Sequence, residues 1–493
     1  MDDGPSKIEH DLLVWEELIE SEREREERER LEKIREEKER LNEIKEKLDI
    51  IKGKLVDIKE ESPSLTYSLR SIFSWRNYSV YLATSWLFTA FSYLGLFFNL
   101  YLLELNWEYV LIGAVLSIII AISAISRLIG GYVGDVSNRK YLSVIAMFMM
   151  AMYNLIMGIS EEFTWIIIAL LFFSTMDIFK GGSTAFIMDN IPKKHSGLGI
   201  SLFSAGRIFG IFTLGSFVIL TPLMGFRLSL RLMFLIGGIS LIIGTLVRAV
   251  LLEGKSPDVK REGVSLFRSF IQENKRAVNM LFNLVPGMIT IVVLDALSDS
   301  LFKFGAYIYI YEVLEIEIPG LILMTIVTIM VSVPLLLGTG RLSDRRGERK
   351  TALIIYSIMP ICALLLLIAP YFPYWAPLVL INYADSLFAG LGAIFSTAFL
   401  AIVLKSVNDA VWYLLLLTII QKNLPRQDTA KILSVFWFIV YLLSSIGPSI
   451  GGIVFEYFYP GNLFVVVLLL NLIILGWITR QGLVKTIDKN GVR

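Results

Sequence analysis

The chain has 493 residues, of which 55% are hydrophobic and 18% charged, with a formal net charge of +1. From about residue 76 almost to the end, apolar runs of about 20 residues recur, the length that spans ~30 Å of hydrocarbon. That pattern excludes an ordinary soluble multidomain chain, and the single cysteine, Cys362, excludes a disulfide framework.

Only helices or closed barrels satisfy every backbone group in lipid, and the runs here are continuous rather than alternating, so helices are expected. The near-neutral total hides an asymmetry. Residues 1–62 hold 14 Lys/Arg against 22 Asp/Glu, which leaves an excess of cations in the remainder. The stretch Ser21–Arg30 is almost entirely Glu and Arg at helix-favouring i,i+4 spacing. From Ile34 an apolar heptad follows, with Ile34, Leu41, Leu48 and Leu55 at one position and Ile44, Ile51 and Ile58 at another. Residues 1–62 therefore read as a charged, coiled-coil-like helical extension that either associates with itself or a partner, or rests on a neighbour as a solvated helix. The charged N-terminus carries no early apolar core, so no signal peptide is visible and the first membrane helix would direct insertion.

Twelve crossings are expected. An N-terminal half, 63–252, holds crossings at 78–103, 108–133, 140–160, 163–188, 199–222 and 230–252. A polar connector, 253–279, leads to a C-terminal half, 280–485, with crossings at 280–311, 319–340, 350–369, about 399–421, 432–456 and 462–480; 486–493 is a tail. Basic residues gather at one end of the bundle: Arg139, Lys140, Lys193, Lys194, Lys260, Arg261, Arg341–Lys350, Lys422 and Arg426. The other end carries Glu104, Glu108, Glu161, Glu162, Glu312, Glu315 and Glu317, with only Arg227 and Arg231 of opposite sign. The positive-inside rule then places both termini in the cytoplasm of a multi-pass cell-membrane protein. Between Tyr374 and Ile420 there is too much apolar chain for one crossing, yet two would move the basic loop Lys422–Lys431 to the acidic end. One crossing is therefore expected there, with 374–398 an insertion that lies in the interface, re-enters, or caps the outer mouth.

An internal repeat is legible. After crossing two the chain reads Gly131-Tyr-Val-Gly-Asp135-Val-Ser-Asn138-Arg139-Lys140; after crossing eight it reads Gly340-Arg-Leu-Ser-Asp344-Arg345-Arg346-Gly347-Glu-Arg349-Lys350. Tyr-rich, acid-ended segments precede both, at Tyr101–Glu108 and Tyr307–Glu317. Asp189-Asn-Ile-Pro192-Lys-Lys is echoed by Gln421-Lys-Asn-Leu-Pro425-Arg, with an offset longer by about the size of the insertion. This resembles the major facilitator superfamily, whose pattern Gly-x-x-x-Asp-Arg/Lys-x-Gly occupies the loops after helices two and eight. The second copy matches throughout; the first has Val136 for the basic residue and Asn138 for Gly, and Asn tolerates a left-handed backbone. The resemblance implies an all-α membrane fold of two pseudo-symmetric six-helix halves and a permease-type secondary transporter of a small solute. Gly131, Asp135, Arg139, Lys140, Gly340, Asp344, Arg345, Gly347, Arg349 and Lys350 would form a conformational latch, the alternative being simple positive-inside anchoring.

Charges inside hydrocarbon usually mark a pathway or a pair. Crossing seven holds Asp295, Asp299 and Lys303 at i, i+4 and i+8 on one face, so Lys303 can neutralise Asp299 and leave Asp295 to accept a proton. Crossing four holds Asp177 and Lys180, and crossing ten Lys405 and Asp409. In the family, helices one, four, seven and ten line the central cavity, which makes these residues substrate or ion-coupling candidates; each set could instead be an ion pair that holds helices in register. Arg207, about 13 Å into crossing five at 1.5 Å per residue, is deep for snorkelling and could bind an anionic group or pair with Asp177. Arg127 and Arg248 lie nearer helix ends and are expected to snorkel. Tyr93, Phe97, Phe98, Tyr101, Tyr307, Tyr309 and Tyr311 could line a cavity or pack at the lipid interface. Gly447-Pro448-Ser-Ile-Gly451-Gly452 in crossing eleven and Gly206-x-x-x-Gly210 in crossing five read as close helix packing.

No phosphate-cradling loop supports an ATP-driven pump, and no metalloprotease or serine-hydrolase motif supports an enzyme. No cofactor and no metal site is expected, and the short basic loops are topogenic rather than a nucleic-acid surface. The expected partners are a small-molecule substrate, the lipid bilayer, protons as coupling ion, and a partner or second copy through the N-terminal helix. Efflux and uptake stay open. The rival reading is a transporter-derived receptor or scaffold that recruits a partner through residues 1–62.

Overall fold

The computed structural model describes residues 30, 37–38, 40–45, 70, 73–180, 202–203, 205–254, 266–284, 286–339, 348–423 and 429–481. The chain divides into two compact units, Met1–Ser71 and Ile72–Arg493. In the first, the described residues are helical and the heptad positions Leu41 and Ile44 are exposed; Ile34, Leu48, Ile51, Leu55 and Ile58 lie outside the described residues.

The second unit is a bundle of helices, with one isolated β-bridge among its described residues. Nine described helices are long and apolar enough to cross a membrane. Crossings seven, eight and ten are Pro286–Glu312, Ile318–Thr339 and Thr397–Asn423, of 27, 22 and 27 residues, each long enough to traverse ~30 Å. Crossing seven begins at Pro286, where proline suits the first helical position and disfavours a helix running through the residue before it. An amphipathic helix, Leu266–Leu284, precedes it, and Phe270–Phe282 meets Gly287–Glu312 at 101°.

Crossing one is interrupted, running as Arg76–Ser92, a 3₁₀ turn Tyr93–Phe97 and Phe98–Glu104. Crossing five has a second 3₁₀ turn, Gly206–Ile208, before Phe209–Met224. The two breaks are neighbours. A side chain at Gly206 would overlap Trp86 and one at Gly210 would overlap Tyr93, so these glycines let crossing five lie directly on crossing one.

Arg248 does not snorkel. Its guanidinium is buried and turned inward, donating from Nε to Thr84 Oγ1 at 2.8 Å, from Nη2 to Ser85 Oγ at 2.8 Å and from Nη1 to Ser143 O at 3.0 Å. It lies 4.4 Å from the Tyr81 ring. Three acceptors placed for a rigid fork make the interior a better setting than the membrane surface, and crossings one, three and six are tied together as a result. At the acidic end, the two cations that broke the charge pattern are paired: Arg227 and Arg231 reach Glu161 at 2.6 and 3.0 Å.

The insertion closes on itself. Tyr374 and Ser396 form an antiparallel bridge, Trp375 N donates to Phe395 O at 3.1 Å, and Thr397 N donates to Pro373 O at 2.8 Å. Between them, Leu378–Leu387 is a 10-residue helix, about 15 Å long and too short to cross. Gly390, at φ 86°, packs against Gly320 at the start of crossing eight. Asp385, the sole charge between 370 and 404, accepts a hydrogen bond from Gly392 N at 2.7 Å.

Hydrogen bonds clasp the halves at the acidic end. Tyr109 donates its backbone N–H to Glu456 Oε2 at 3.1 Å and its hydroxyl to Glu312; Tyr311 donates to Glu104 Oε1 at 3.0 Å. Asn99 donates to Phe304 O at 3.3 Å, and Ser449 N donates to Ser117 Oγ at 3.0 Å. Phe97, Tyr101 and Tyr309 are fully or almost fully buried beneath this clasp, so they are core, neither lipid-facing nor cavity-lining. Crossing eleven bends at Ser445, and side chains at Gly113 or Gly452 would overlap the backbone of Pro448 or Tyr109, so crossings two and eleven pack backbone to backbone.

Candidate functional site

The candidate charges of crossings seven and ten form one cluster. Asp299 and Lys303 share a face at i,i+4 and pair at 2.7 Å; Lys405 and Asp409 do the same on crossing ten and also pair. The two helices bring these pairs together. Lys405 Nζ reaches Asp299 Oδ1 at 2.5 Å, and Lys303 lies 3.8 Å from Asp409. Two lysines thus face two carboxylates, and the group is neutral as a whole. Its members differ in setting: the Lys405 side chain is 6% exposed, with the Phe302 ring 5.3 Å from its Nζ, whereas Lys303 is 62% exposed.

Asp295, one turn earlier on crossing seven, makes no ion pair with a described residue. Trp412 Nε1 donates to its Oδ2 at 2.8 Å and Tyr356 OH lies 2.9 Å from its Oδ1. The same phenol lies 2.9 Å from Asn471 Oδ1, which also accepts from Ser298 Oγ at 3.0 Å. Asp295, Tyr356, Asn471 and Ser298 therefore form a hydrogen-bonded chain across crossings seven, nine and twelve. Sequence reasoning missed Tyr356, Trp412, Asn471 and Ser298. Asn471 had a signal, a lone amide within the apolar run Phe464–Leu475; the other three had none.

In the first half, Arg127 reaches inward and donates from Nε to Asp177 Oδ2 at 2.8 Å, with its guanidinium 3.6 Å from the Tyr441 ring. The nearby carboxylate and aromatic face outcompete snorkelling. Lys180, one turn beyond Asp177, stands over Phe88 at 5.6 Å and within electrostatic reach of Asp177. Arg207 is not the partner of Asp177. It is exposed, in the 3₁₀ turn of crossing five, and close enough to the Tyr93 and Tyr413 phenols to act on both electrostatically.

The two sets face each other across the space between the halves. Tyr441 of crossing eleven carries Arg127 on its ring and lies within electrostatic reach of Lys303; Tyr413 of crossing ten stands within reach of both Arg127 and Arg207. Lys303 and Arg207 are exposed although both belong to crossings, below an acidic end that is clasped shut.

Of the latch candidates, a side chain at Gly131 would overlap Ser434 of crossing eleven, so that glycine permits contact between the halves. Asn138 does not take the left-handed backbone. At φ −65° and ψ 115° it caps crossing three, its Oδ1 accepting from Lys140 N at 3.0 Å. Arg139 and Lys140 are half-buried at the start of that helix, and Lys350 is exposed on crossing nine. Gly340, Asp344, Arg345 and Gly347, and the side chains of Asp135 and Arg349, lie outside the described residues.

The sequence profile of the Major Facilitator Superfamily matches residues 12–212 and 80–448. Among solved structures, the D-xylose-proton symporter is 15% identical, with 86% of this chain and 98% of that chain covered at a TM-score of 0.56. The nucleoside transporter NupG is 14% identical, covering 82% and 96% at 0.55. A POT family transporter solved with 5-aminolevulinic acid is 12% identical, covering 83% and 96% at 0.60. At these identities the likeness is one of fold. No curated protein matches the chain in sequence.

Proposed function

The chain belongs to the Major Facilitator Superfamily, and from that premise we propose that it moves a small solute by alternating access, coupled to protons through Asp295. Multi-pass membrane insertion and secondary transport of a small solute follow from the family and the helices. The proposal includes the proton as coupling ion and, by the positive-inside rule, the basic end in the cytoplasm. In that orientation the clasp closes the outer side, which fits an inward-facing state, one of the two that alternating access requires.

The observation that carries the coupling is the chain through Tyr356. One phenol proton stands between two acceptors, Asp295 Oδ1 and Asn471 Oδ1. With Asp295 ionised, the phenol serves the carboxylate and leaves Asn471 Oδ1 with Ser298 alone. With Asp295 protonated, the carboxyl donates to the phenol oxygen and the phenol donates to Asn471. The site can hold the carboxyl in either form with every member of the chain bonded. The charged groups that face Asp295 are Asp299 on its own helix and Lys405 from crossing ten, and these are engaged with each other. The neutral cluster therefore supplies a fixed background against which one carboxyl gains and loses a proton.

The test is transport in proteoliposomes loaded with substrate and given an imposed pH gradient. Asp295→Asn is expected to abolish gradient-driven accumulation and to retain substrate counterflow. Accumulation in that variant at the native level would remove Asp295 from the coupling. An equally strong response of the native protein to a sodium gradient at fixed pH would remove the proton.

A further inference from the structure

Among the described residues, cations outnumber acids in the space between the halves. Arg127, Lys180, Arg207, Lys303 and Lys405 are set against Asp177, Asp295, Asp299 and Asp409. The acids are committed. Asp177 is bound by Arg127, Asp299 and Asp409 by the two lysines, and Asp295 by a phenol and an indole. No acid among the described residues pairs with Arg207. Its guanidinium is exposed within a crossing, on a space whose acidic end is closed.

A guanidinium held there without a carboxylate is unfavourable unless water or a ligand meets its five donors. Its placement is built rather than incidental. Gly206 and Gly210 seat crossing five against Trp86 and Tyr93, which fixes the rotation of the helix, and the 3₁₀ turn falls at Arg207 itself. The Tyr93 phenol of the first half and the Tyr413 phenol of the second both lie within electrostatic reach of it. A guanidinium fork within electrostatic reach of two phenols suits a planar anionic group attached to an apolar or aromatic body.

We infer that the solute is a small organic anion whose carboxylate or phosphate group docks on Arg207, with Arg127 and Lys180 contributing positive potential. This rests on the transport reading above. It also joins the two halves in function. A proton on Asp295 adds one positive charge to the same space, so protonation and anion binding favour each other. A proton and a monoanion together add no net charge, so the doubly loaded carrier reorients with the same charge as the empty one.

The test uses purified full-length protein and matched pairs of probes with one skeleton and different charge: benzoate with benzamide, and phenyl phosphate with phenol. Thermal-shift titration is expected to give saturable stabilisation by benzoate, phenyl phosphate or both, and none by their neutral mates. The pair that responds separates carboxylate from phosphate. Arg207→Gln is expected to weaken the response about tenfold or more, and Arg207→Lys to keep part of it. Monodispersity and an unchanged melting temperature without probe establish that each variant folds. Stabilisation by the neutral mates equal to that by the anions overturns the assignment, as does the absence of any response to the anions, or an Arg207→Gln response equal to the native one. Counterflow then separates the two readings. Transport of an uncharged or cationic solute through this cavity sinks the anion and leaves transport standing; anion binding lost in Arg207→Gln without counterflow of any probe sinks transport and leaves the site.

Discussion

The two halves repeat each other in helix order and in the loops after crossings two and eight, yet they handle buried charge in opposite ways. In the C-terminal half, Lys303 and Lys405 are matched by Asp299 and Asp409 from two helices, and a further carboxyl, Asp295, stands among uncharged donors. In the N-terminal half, Asp177 is held by Arg127, and Arg207 is exposed with no acid paired to it among the described residues. A duplicated scaffold has thus been divided by chemistry. In the proposed mechanism the second half is arranged around a group that takes up a proton, and the first around a cation that receives the anion. The contrast teaches that pseudo-symmetry of backbone does not extend to the site, because each residue there answers to the helix across from it and not to its repeat mate.

The comparison predicts unequal responses to mutation. The largest concerns coupling: Asp295→Asn should reduce pH-driven accumulation to the level of protein-free vesicles with counterflow retained, whereas Arg207→Gln should impair both together. If the two variants show the same pattern, the division of labour fails. Next comes Lys405→Met. It leaves Asp299 and Asp409 facing each other with only the exposed Lys303 between them, and removal of one partner from a buried ion group destabilises by roughly 3–5 kcal/mol. Chemical denaturation in detergent measures this. Replacing Lys405 and Asp409 together by Met and Leu should recover most of the loss, since Lys303 and Asp299 remain as a pair. Third is Arg127→Gln, which strands the buried Asp177 and should destabilise by about 1–3 kcal/mol. A loss from Arg127→Gln as large as that from Lys405→Met would mean that the N-terminal half is also organised around a buried charge cluster.

The architecture was legible because a bilayer leaves so few solutions. Apolar runs of spanning length, a charge bias between loop sets, and the paired motifs at Asp135 and Asp344 each constrain the same twelve-helix topology. Contacts along one helix were legible too: Asp299 with Lys303 and Lys405 with Asp409 follow from i,i+4 spacing alone. What could not be read was which helix face meets which. The reach of Lys405 to Asp299, the seat of Arg127 on Asp177 and Tyr441, and the acceptors that turn Arg248 inward all depend on helix rotation and separation. Those are set by packing details such as Gly206 against Trp86 or Gly113 against Pro448, and a linear pattern does not encode the partner. Asn138 shows the same limit on a smaller scale. Its residue type suits both a left-handed turn and a helix cap, and the chain uses it as a cap.

The smallest effect should come from Lys303→Met, and it is the sharpest probe of the cluster. Lys303 touches both carboxylates, at 2.7 Å to Asp299 and 3.8 Å to Asp409, which on contacts alone would make it the equal of Lys405. Its side chain is 62% exposed, however, so water screens the attraction. An ion pair in that setting contributes about 0–1 kcal/mol. The buried Lys405 remains to hold both acids after the substitution. Stability should therefore change by less than about 1 kcal/mol. Anion affinity should fall modestly, because the space between the halves loses one positive charge while Arg207 keeps its fork. A loss of stability matching that of Lys405→Met would show that solvent does not reach Lys303, and with it the inward-opening cavity and the contrast between the halves would have to be redrawn.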